Sequence, residues 1–177
     1  VINAQKERVL ITVGDASQLF DQQMAIEDLA HITSEQRRFW GNFPYRGPYL
    51  FLNVLAEGRG GLEHASSTVI MASRFASRKR EDYVNWLNLA SHELFHAWNV
   101  KAFRPTALLS YGYEHENYLK ELWIVEGLTS YYASLLATRA GAITAKEYLQ
   151  LLADRIQSHE LSPGWQVQSV VDSSYDA

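Results

Sequence analysis

The sequence contains no cysteine, and this absence excludes two kinds of structure. Disulfide bonds cannot form, and metal sites built on thiolate ligands are ruled out as well. Any bound metal must therefore use the side chains of histidine, aspartate or glutamate. A chain without cysteine is compatible with either a reducing or an oxidising compartment, so this absence leaves the location open.

Excess positive charge and long apolar runs are also missing. The chain carries 16 lysines and arginines against 20 aspartates and glutamates, and its formal net charge of −4 argues against nucleic acid as the main partner. No run approaches the roughly 18 apolar residues that a membrane span needs. The chain of 177 residues contains 47% apolar and 20% charged residues, a composition typical of a globular domain with a hydrophobic core.

The two ends of the sequence predict a piece of a longer protein. The chain starts at Val1 without an initiator methionine or an apolar leader, and it ends at Ser173–Ala177 without a helix stop or a polar tail. We therefore expect the missing domains of the full-length chain to be natural partners of this segment. We expect the cytoplasm ahead of the periplasm or the exterior, which stay open because the true N-terminus is missing.

The order of the predicted elements indicates an α+β fold, with short strands first and long helices after them. Strands are predicted at Arg8–Gly14, Tyr49–Leu55 and Ser67–Met71, with a helix at Asp21–Ile32. Further helices are predicted from Glu81 to about Val100 or Lys101, over Asn117–Thr138, and from Thr144 onward. The last begins with a capping box, Thr144 to Glu147, and continues with an apolar stripe of Leu149, Leu152, Ala153 and Ile156.

The most informative stretch is Ser91–Asn99, SHELFHAWN, which contains two histidines four residues apart. On a helix, His92 and His96 lie on one face and can bind a common ion, at about 2.0–2.1 Å each. Glu93 lies beside them, close enough to hold a water molecule on that ion, as in the H-E-x-x-H arrangement of zinc peptidases. The alternative is a chance helix face with two solvated histidines.

Glu126, on the next predicted helix, is the candidate third ligand. Apolar residues occupy helical positions on both sides of it, so the sequence predicts that Glu126 lies in the middle of the core-facing stripe. An isolated carboxylate there would cost several kcal/mol to bury, and a divalent cation is the strongest available partner. The alternatives are a salt bridge to Arg104 or Arg139, or a protonated Glu126. Two histidines, one glutamate and an open fourth position form a ligand set of catalytic zinc.

A second constellation lies upstream at Gly60-Gly61-Leu62-Glu63-His64, between two predicted strands. Two glycines allow a backbone to approach a ligand closely, and Glu63 places a charge at that point. The residues alone fit a tight hairpin with an exposed glutamate better than a binding site.

Taken together, these motifs resemble the glycyl aminopeptidase family, zinc metallopeptidases whose full-length members usually carry a PDZ domain. The resemblance covers nearly the whole chain in order: GNFPYRGPYLFLN, GGLEH, SHELFHAWNVKAFRP, LWIVEGLTSYY, RAGAIT and VQSVVDSSYD. It implies a thermolysin-like zincin domain, with a small N-terminal β-sheet followed by a helical lobe. Residues 1–20 would be the end of a truncated β-domain and residues 21–177 a catalytic domain cut at its C-terminus, without the PDZ domain.

The resemblance also implies a role for each motif residue. His92, His96 and Glu126 would bind one Zn²⁺ ion, and Glu93 would be the general base. Glu63, with Gly60 and Gly61 beside it, would bind the free α-amine of a peptide substrate, from which the enzyme would remove an N-terminal glycine or alanine. Two alternatives stay open, a zinc endopeptidase and a metal-binding fragment without activity of its own.

This sequence departs from related zinc peptidases around the predicted metal site. Where thermolysin has an acid that orients a zinc histidine, this chain has Ser130, so the outer partners of the ligands are unassigned, with Asn99, Thr129 and Ser130 as candidates. The Tyr-x-Lys-Gly segment that supplies a transition-state tyrosine in related aminopeptidases does not occur. The sequence favours packing rather than catalysis for three tyrosines, Tyr131, Tyr132 and Tyr175.

Overall fold

A computed structural model of the chain describes residues 2–5, 8–14, 19–110, 112 and 114–177. The described residues form an α+β fold, which confirms the class predicted from the sequence. The strands are β1 (Ile2–Gln5), β2 (Arg8–Val13), β3 (Tyr49–Leu55), β4 (Gly60–Glu63) and β5 (Ser67–Ala72). The helices are α1 (Gln22–Trp40), α2 (Arg80–Phe95), α3 (Leu122–Arg139), α4 (Ala145–Leu161) and α5 (Val170–Tyr175).

The strands form one mixed sheet in the order β1–β2–β3–β5–β4. Strand β3 runs parallel to β2 and β5, whereas β1 and β4 pair antiparallel at the two edges. Because β2 pairs with β3, strands on both sides of residue 20 share this sheet. The domain boundary at residue 20 stays a prediction, and residues 1, 6, 7 and 15–18 of the first part lie outside the described residues.

Helix α1 packs on the sheet through a mainly apolar face and is longer than predicted. It begins after Asp21, whose carboxylate accepts a hydrogen bond from the backbone N–H of Met24 at 2.9 Å, and it ends at Trp40 with Gly41 as its C-terminal cap. The apolar pattern stops near Ile32, but Glu35 and Gln36 continue the buried face. The predicted end was wrong because these two polar side chains, although buried, interrupt the apolar periodicity.

The main core joins the sheet to the first two helices. It contains fully buried apolar side chains from the sheet, from α1 and from α2, among them Leu10, Phe51, Ile70, Ile26, Leu29, Ile32, Leu87 and Leu94. Helix α2 packs against α1 and α3 and also contacts the β4–β5 edge of the sheet. The C-terminal end of α2 therefore lies between the edge strand β4 and helix α3.

Helix α2 ends at Phe95, earlier than the predicted Val100 or Lys101. His96 caps the helix, and tight turns follow, with the Ala97 N–H bonded to the Leu94 carbonyl at 3.0 Å. Val100 has a φ of 141°, which a β-branched residue rarely adopts and which no helix allows. The prediction was wrong because Pro105, on which it relied, lies beyond the actual end of the helix.

Helix α3 begins at Leu122 rather than at Asn117. The side-chain amide of Asn117 donates hydrogen bonds to the carbonyls of Gly112 and His115, at 2.8 and 3.1 Å, which holds this residue in a loop. Asparagine readily forms such local bonds to the backbone, and they compete with a helical conformation.

Helix α4 confirms the predicted capping box, because Thr144 and Glu147 each accept a hydrogen bond from the other's backbone N–H. Its predicted apolar stripe stays largely outside the core, with Leu149 61% and Ile156 51% exposed. No described helix is long and apolar enough to span a membrane.

Candidate metal centre

Buried hydrogen bonds fix the C-terminal turn of α2 against its two neighbouring helices. The hydroxyl of Ser91 donates to the carbonyl of Ala133 in α3 at 2.8 Å. The side-chain amide of Gln36 in α1 donates to the carbonyl of Ser91 at 2.7 Å. These bonds hold His92 and Glu93, the next residues of the helix, in a rigid setting, as preorganised sites require.

His92, His96 and Glu126 converge at the end of α2, as the sequence predicts. Nε2 of His92 lies 3.0 Å from Nε2 of His96 and 3.1 Å from Oε2 of Glu126, and Nε2 of His96 lies 3.6 Å from the same oxygen. Ligands of one tetrahedral zinc ion at 2.0–2.1 Å stand about 3.3 Å apart. The observed separations bracket this value, so the three side chains fit a single divalent ion.

The other ring nitrogen of His96 indicates which tautomer this histidine adopts. Nδ1 of His96 lies 2.9 Å from the carbonyl oxygen of Asn99. A carbonyl can only accept, so Nδ1 carries a proton, and the neutral form of the ring has its lone pair on Nε2, the atom that would bind a metal. Asn99 lies in the turns that follow the end of α2 at Phe95, and its carbonyl faces the His96 ring there.

The three candidate hydrogen-bonding partners of the histidines, Asn99, Thr129 and Ser130, all lie close to the two rings, and each makes a different contact. The hydroxyl oxygen of Ser130 is 3.4 Å from Nδ1 of His92, and that of Thr129 is 3.5 Å from Nδ1 of His96. The amide of Asn99 donates to Thr129 Oγ1 at 3.0 Å. Asn99 thus contacts His96 directly with its backbone and indirectly with its side chain.

Glu126 faces the open side of the cluster rather than the core. Its side chain is 49% exposed, so the prediction of a core-facing position was wrong, although the expected partners are present. The helix turns Glu126 toward the histidines and away from the buried Val125 and Thr129. Although partial burial alone would raise its pKa, hydrogen bonds to His92 and His96 lower the pKa of Glu126 to about 2.

The predicted arginine partners of Glu126 are engaged elsewhere. Nε of Arg139 forms an ion pair with Glu35 at 2.7 Å. The guanidinium of Arg104 donates to the Lys101 carbonyl at 3.4 Å. The salt-bridge alternatives for Glu126 therefore have no support in the structure.

Glu93 is buried beside the cluster, with 4% of its surface exposed. Burial raises the pKa of its carboxyl to about 7, although the charge of His96 acts in the opposite direction. The carboxylate lies against Gly61 of β4, where any larger residue has no room: a Cβ there would stand 2.6 Å from Cγ of Glu93 and closer still to the carboxylate. A glycine at 61 therefore allows the edge strand to approach Glu93.

Glu63 ends strand β4 on the same side of the sheet, and its carboxylate has a cationic partner. Nζ of Lys101 lies 3.0 Å from Oε1 of Glu63, and the two side chains are 21% and 23% exposed. The negative charge of Glu63 contributes to the raised pKa of Glu93, which places it within electrostatic reach of the candidate centre. Gly60, next to Gly61, has nothing within 4 Å of its Cβ position.

A comparison with protein-family models shows to which family the chain belongs. Residues 85–177 match the model of the M61 glycyl aminopeptidase family. The chain belongs to this family. The matched range contains Glu93 and the three candidate metal ligands, His92, His96 and Glu126, whereas strand β4 with Glu63 lies upstream of it.

Solved structures extend the M61 comparison over the whole segment. An aminopeptidase N family protein from Idiomarina loihiensis has 34% sequence identity and a TM-score of 0.89 over 100% of this chain. The M61 segment covers 32% of that protein, so it spans about a third of the length of its structural relative. No curated protein sequence matches the chain.

The three tyrosines of this M61 chain lie in different surroundings. Tyr132 stacks on Phe95 with ring centroids 5.7 Å apart, so it packs beneath the end of α2. Tyr131 is 49% exposed on α3, and Tyr175 contacts the ring of Tyr118 at 5.2 Å.

Sequence reasoning missed Lys101 as a neighbour of Glu63. The residue follows the histidine pair closely, but nothing in its spacing indicates contact with a strand 38 positions earlier. Only the turn that ends α2 brings the two side chains together.

Proposed function

We propose that this segment is the catalytic core of a zinc-dependent aminopeptidase that removes the N-terminal residue from peptides, with glycine or alanine preferred. The observation that carries the proposal is the cluster of His92, His96 and Glu126, whose ligand atoms lie 3.0–3.6 Å apart. Two imidazoles and one carboxylate with an open position are a ligand set of catalytic zinc. The preference for glycine follows the family description.

Glu93 is the proposed general base. A zinc ion held by the three ligands would polarise the scissile carbonyl and lower the pKa of a water molecule towards about 7. Glu93 takes a proton from the attacking water and later delivers it to the leaving amine. A pKa raised to about 7 by burial supports this assignment, since such a carboxyl can both accept and release a proton near neutral pH.

Glu63 is the proposed anchor for the substrate's free amine. A carboxylate at the edge strand, within electrostatic reach of Glu93, can pair with an N-terminal ammonium and fix the cleavage one residue from the end. The approach of β4 at Gly61 supports this arrangement, because it brings the strand that carries Glu63 next to the general base.

The direct test replaces Glu93 by glutamine in the full-length protein. Glu93→Gln should reduce hydrolysis of glycyl-p-nitroanilide at least about 10²-fold, the lower end of general-base contributions, while zinc content by elemental analysis stays at the wild-type level. Glu81→Gln, an exposed carboxylate on the same helix, is the matched control and should retain activity. Undiminished turnover by Glu93→Gln would end the proposal.

An endopeptidase is the second candidate, and the contact between Lys101 and Glu63 favours it. A carboxylate that already has a cationic partner does not require a substrate amine. Cleavage rates of matched free and N-acetylated peptides separate the two activities. The aminopeptidase requires a strong preference for the free amine that Glu63→Gln removes, whereas equal rates would establish the endopeptidase.

A further inference from the structure

Lys101 forms an ion pair with Glu63, the carboxylate that the proposed function assigns to the substrate's amine. Its ammonium group lies 3.0 Å from Oε1 of Glu63, and about four-fifths of each side chain is withdrawn from solvent. A lysine ammonium and a peptide's N-terminal ammonium have the same charge and offer the same donors. The two groups are therefore alternative partners for Glu63.

The backbone directs Lys101 to this position at an energetic cost. Val100 immediately before it has a φ of 141°, a conformation that costs on the order of 1–3 kcal/mol in a β-branched residue. The N–H of Lys101 then binds the carbonyl of His96 at 3.0 Å, which ties the lysine to the end of the metal-binding turn. The strained residue thus lies between Asn99, whose carbonyl contacts His96, and Lys101, which contacts Glu63.

A cavity beside the ion pair of Lys101 and Glu63 can accommodate the lysine side chain once it has left Glu63. Its volume is about 300 Å³, and Glu63, Lys101, His64 and Arg104 all contribute to its wall. The four-carbon stem of lysine is flexible, so its ammonium can leave Glu63 without a change in the backbone. Two ammonium groups next to one carboxylate repel each other, which favours departure of the lysine when a substrate amine arrives.

We infer that Lys101 competes with the substrate's N-terminal ammonium for Glu63 and thereby sets the affinity of the enzyme for free amino termini. The inference rests on the proposed function, in which Glu63 binds that amine. A blocked peptide leaves the pair of Lys101 and Glu63 intact, so the competition acts on free peptides alone. Lys101 is accordingly a residue that determines selectivity, and it does not act on the reacting atoms.

The test is Lys101→Met in the full-length protein, since methionine keeps an unbranched apolar stem without the charge. KM for glycyl-p-nitroanilide should fall about tenfold, the factor of one hydrogen bond to a charged group. The value of kcat should stay within about threefold, because the substrate's amine is bound equally well in the ground state and in the transition state. Lys101→Arg keeps the competing charge and should retain the high KM, and Lys146→Met, an exposed lysine of α4, is the surface control.

A binding measurement gives a readout that is independent of turnover. Glycine hydroxamate carries a free amine, and N-acetylglycine hydroxamate is its blocked counterpart. Calorimetry should show about tenfold tighter binding of the first compound to Lys101→Met than to wild type, with no change for the second. Glu63→Gln combined with Lys101→Met should show no gain, because the carboxylate for which the two amines compete has been removed.

Two sets of results contradict the inference in distinguishable ways. If wild type prefers free amines and Glu63→Gln abolishes the preference, but Lys101→Met raises KM or lowers kcat, the competition is refuted and Lys101 orients Glu63 instead. The competition is also refuted if Lys101→Met still tightens the binding of glycine hydroxamate when Glu63 has been replaced by glutamine. If wild type and Glu63→Gln treat free and acetylated peptides alike, the amine anchor itself is wrong, and the inference is rejected together with it.

Discussion

The contact between Gly61 and Glu93 yields the sharpest prediction about the proposed chemistry. Replacing Gly61 by alanine adds one methyl group on the face of β4 that meets Glu93, the proposed general base. That carbon would stand 2.6 Å from Cγ of Glu93, whereas ordinary contacts begin near 3.4 Å. Because Glu93 is 4% exposed and lies at the rigid end of α2, the carboxylate must move within the site.

The size of this movement sets the expected loss of activity. Restoring an ordinary carbon–carbon contact requires a shift of about 1 Å. A misplacement of about 1 Å in a catalytic group can cost about 10²-fold in rate. We therefore expect Gly61→Ala to lower kcat about 10²-fold, while zinc content stays at the wild-type level, because the three atoms nearest to the new methyl group all belong to Glu93.

The neighbouring Gly60 provides a matched control for this experiment. Nothing lies within 4 Å of its Cβ position, so Gly60→Ala adds the same methyl group to the same strand without a collision. Because the role implied for Gly60 is in substrate binding, the comparison is made on kcat and not on KM. The assay compares kcat for glycyl-p-nitroanilide, zinc content and thermal stability in the full-length wild type and both variants. Equal kcat for the two variants, with zinc and stability preserved, would refute the steric argument.

Three further predictions address the metal ligands and the scaffold. Glu126→Ala should leave the protein with far less than one zinc ion per chain by elemental analysis; full retention would exclude Glu126 as a ligand. Ser130→Ala removes the hydroxyl beside Nδ1 of His92 and should weaken zinc binding by about tenfold in chelator competition, whereas an unchanged affinity would rule out an orienting contact. Glu147→Gln should lower the free energy of unfolding in urea by about 1 kcal/mol. The hydrogen bond from Arg80 lowers the pKa of Glu147 from 4.5 to about 2, so this stabilisation is present above pH 4.5 and is lost as the pH falls towards 2; a difference that does not change with pH would contradict the ion pair.

The local predictions that succeeded depend on spacing along one helix or turn. His92 and His96 are four positions apart, and helical geometry alone brings their rings together. The capping box at Thr144 and Glu147 is likewise decided within four residues. Such features can be read from the sequence because no distant contact is needed to form them.

The partnership of Glu126 with the histidines was predicted correctly from an incorrect premise. The sequence indicated a buried carboxylate that needs a counter-ion, but the side chain is 49% exposed. An apolar stripe shows which helix face is covered in general, but it does not show where a cleft opens within that face. The pairing with the histidines, rather than burial, accounts for the low pKa of Glu126.

By itself, the sequence determined the α+β class, the histidine pair on one helix face and a glutamate able to complete the cluster. Only the tertiary structure decided that α2 stops at Phe95, that Glu93 lies against Gly61 and that Lys101 meets Glu63. The physical reason is the range of the interactions. Helical spacing is a property of neighbouring residues, whereas a strained turn and a contact across 38 positions exist only where packing elsewhere holds the chain in place.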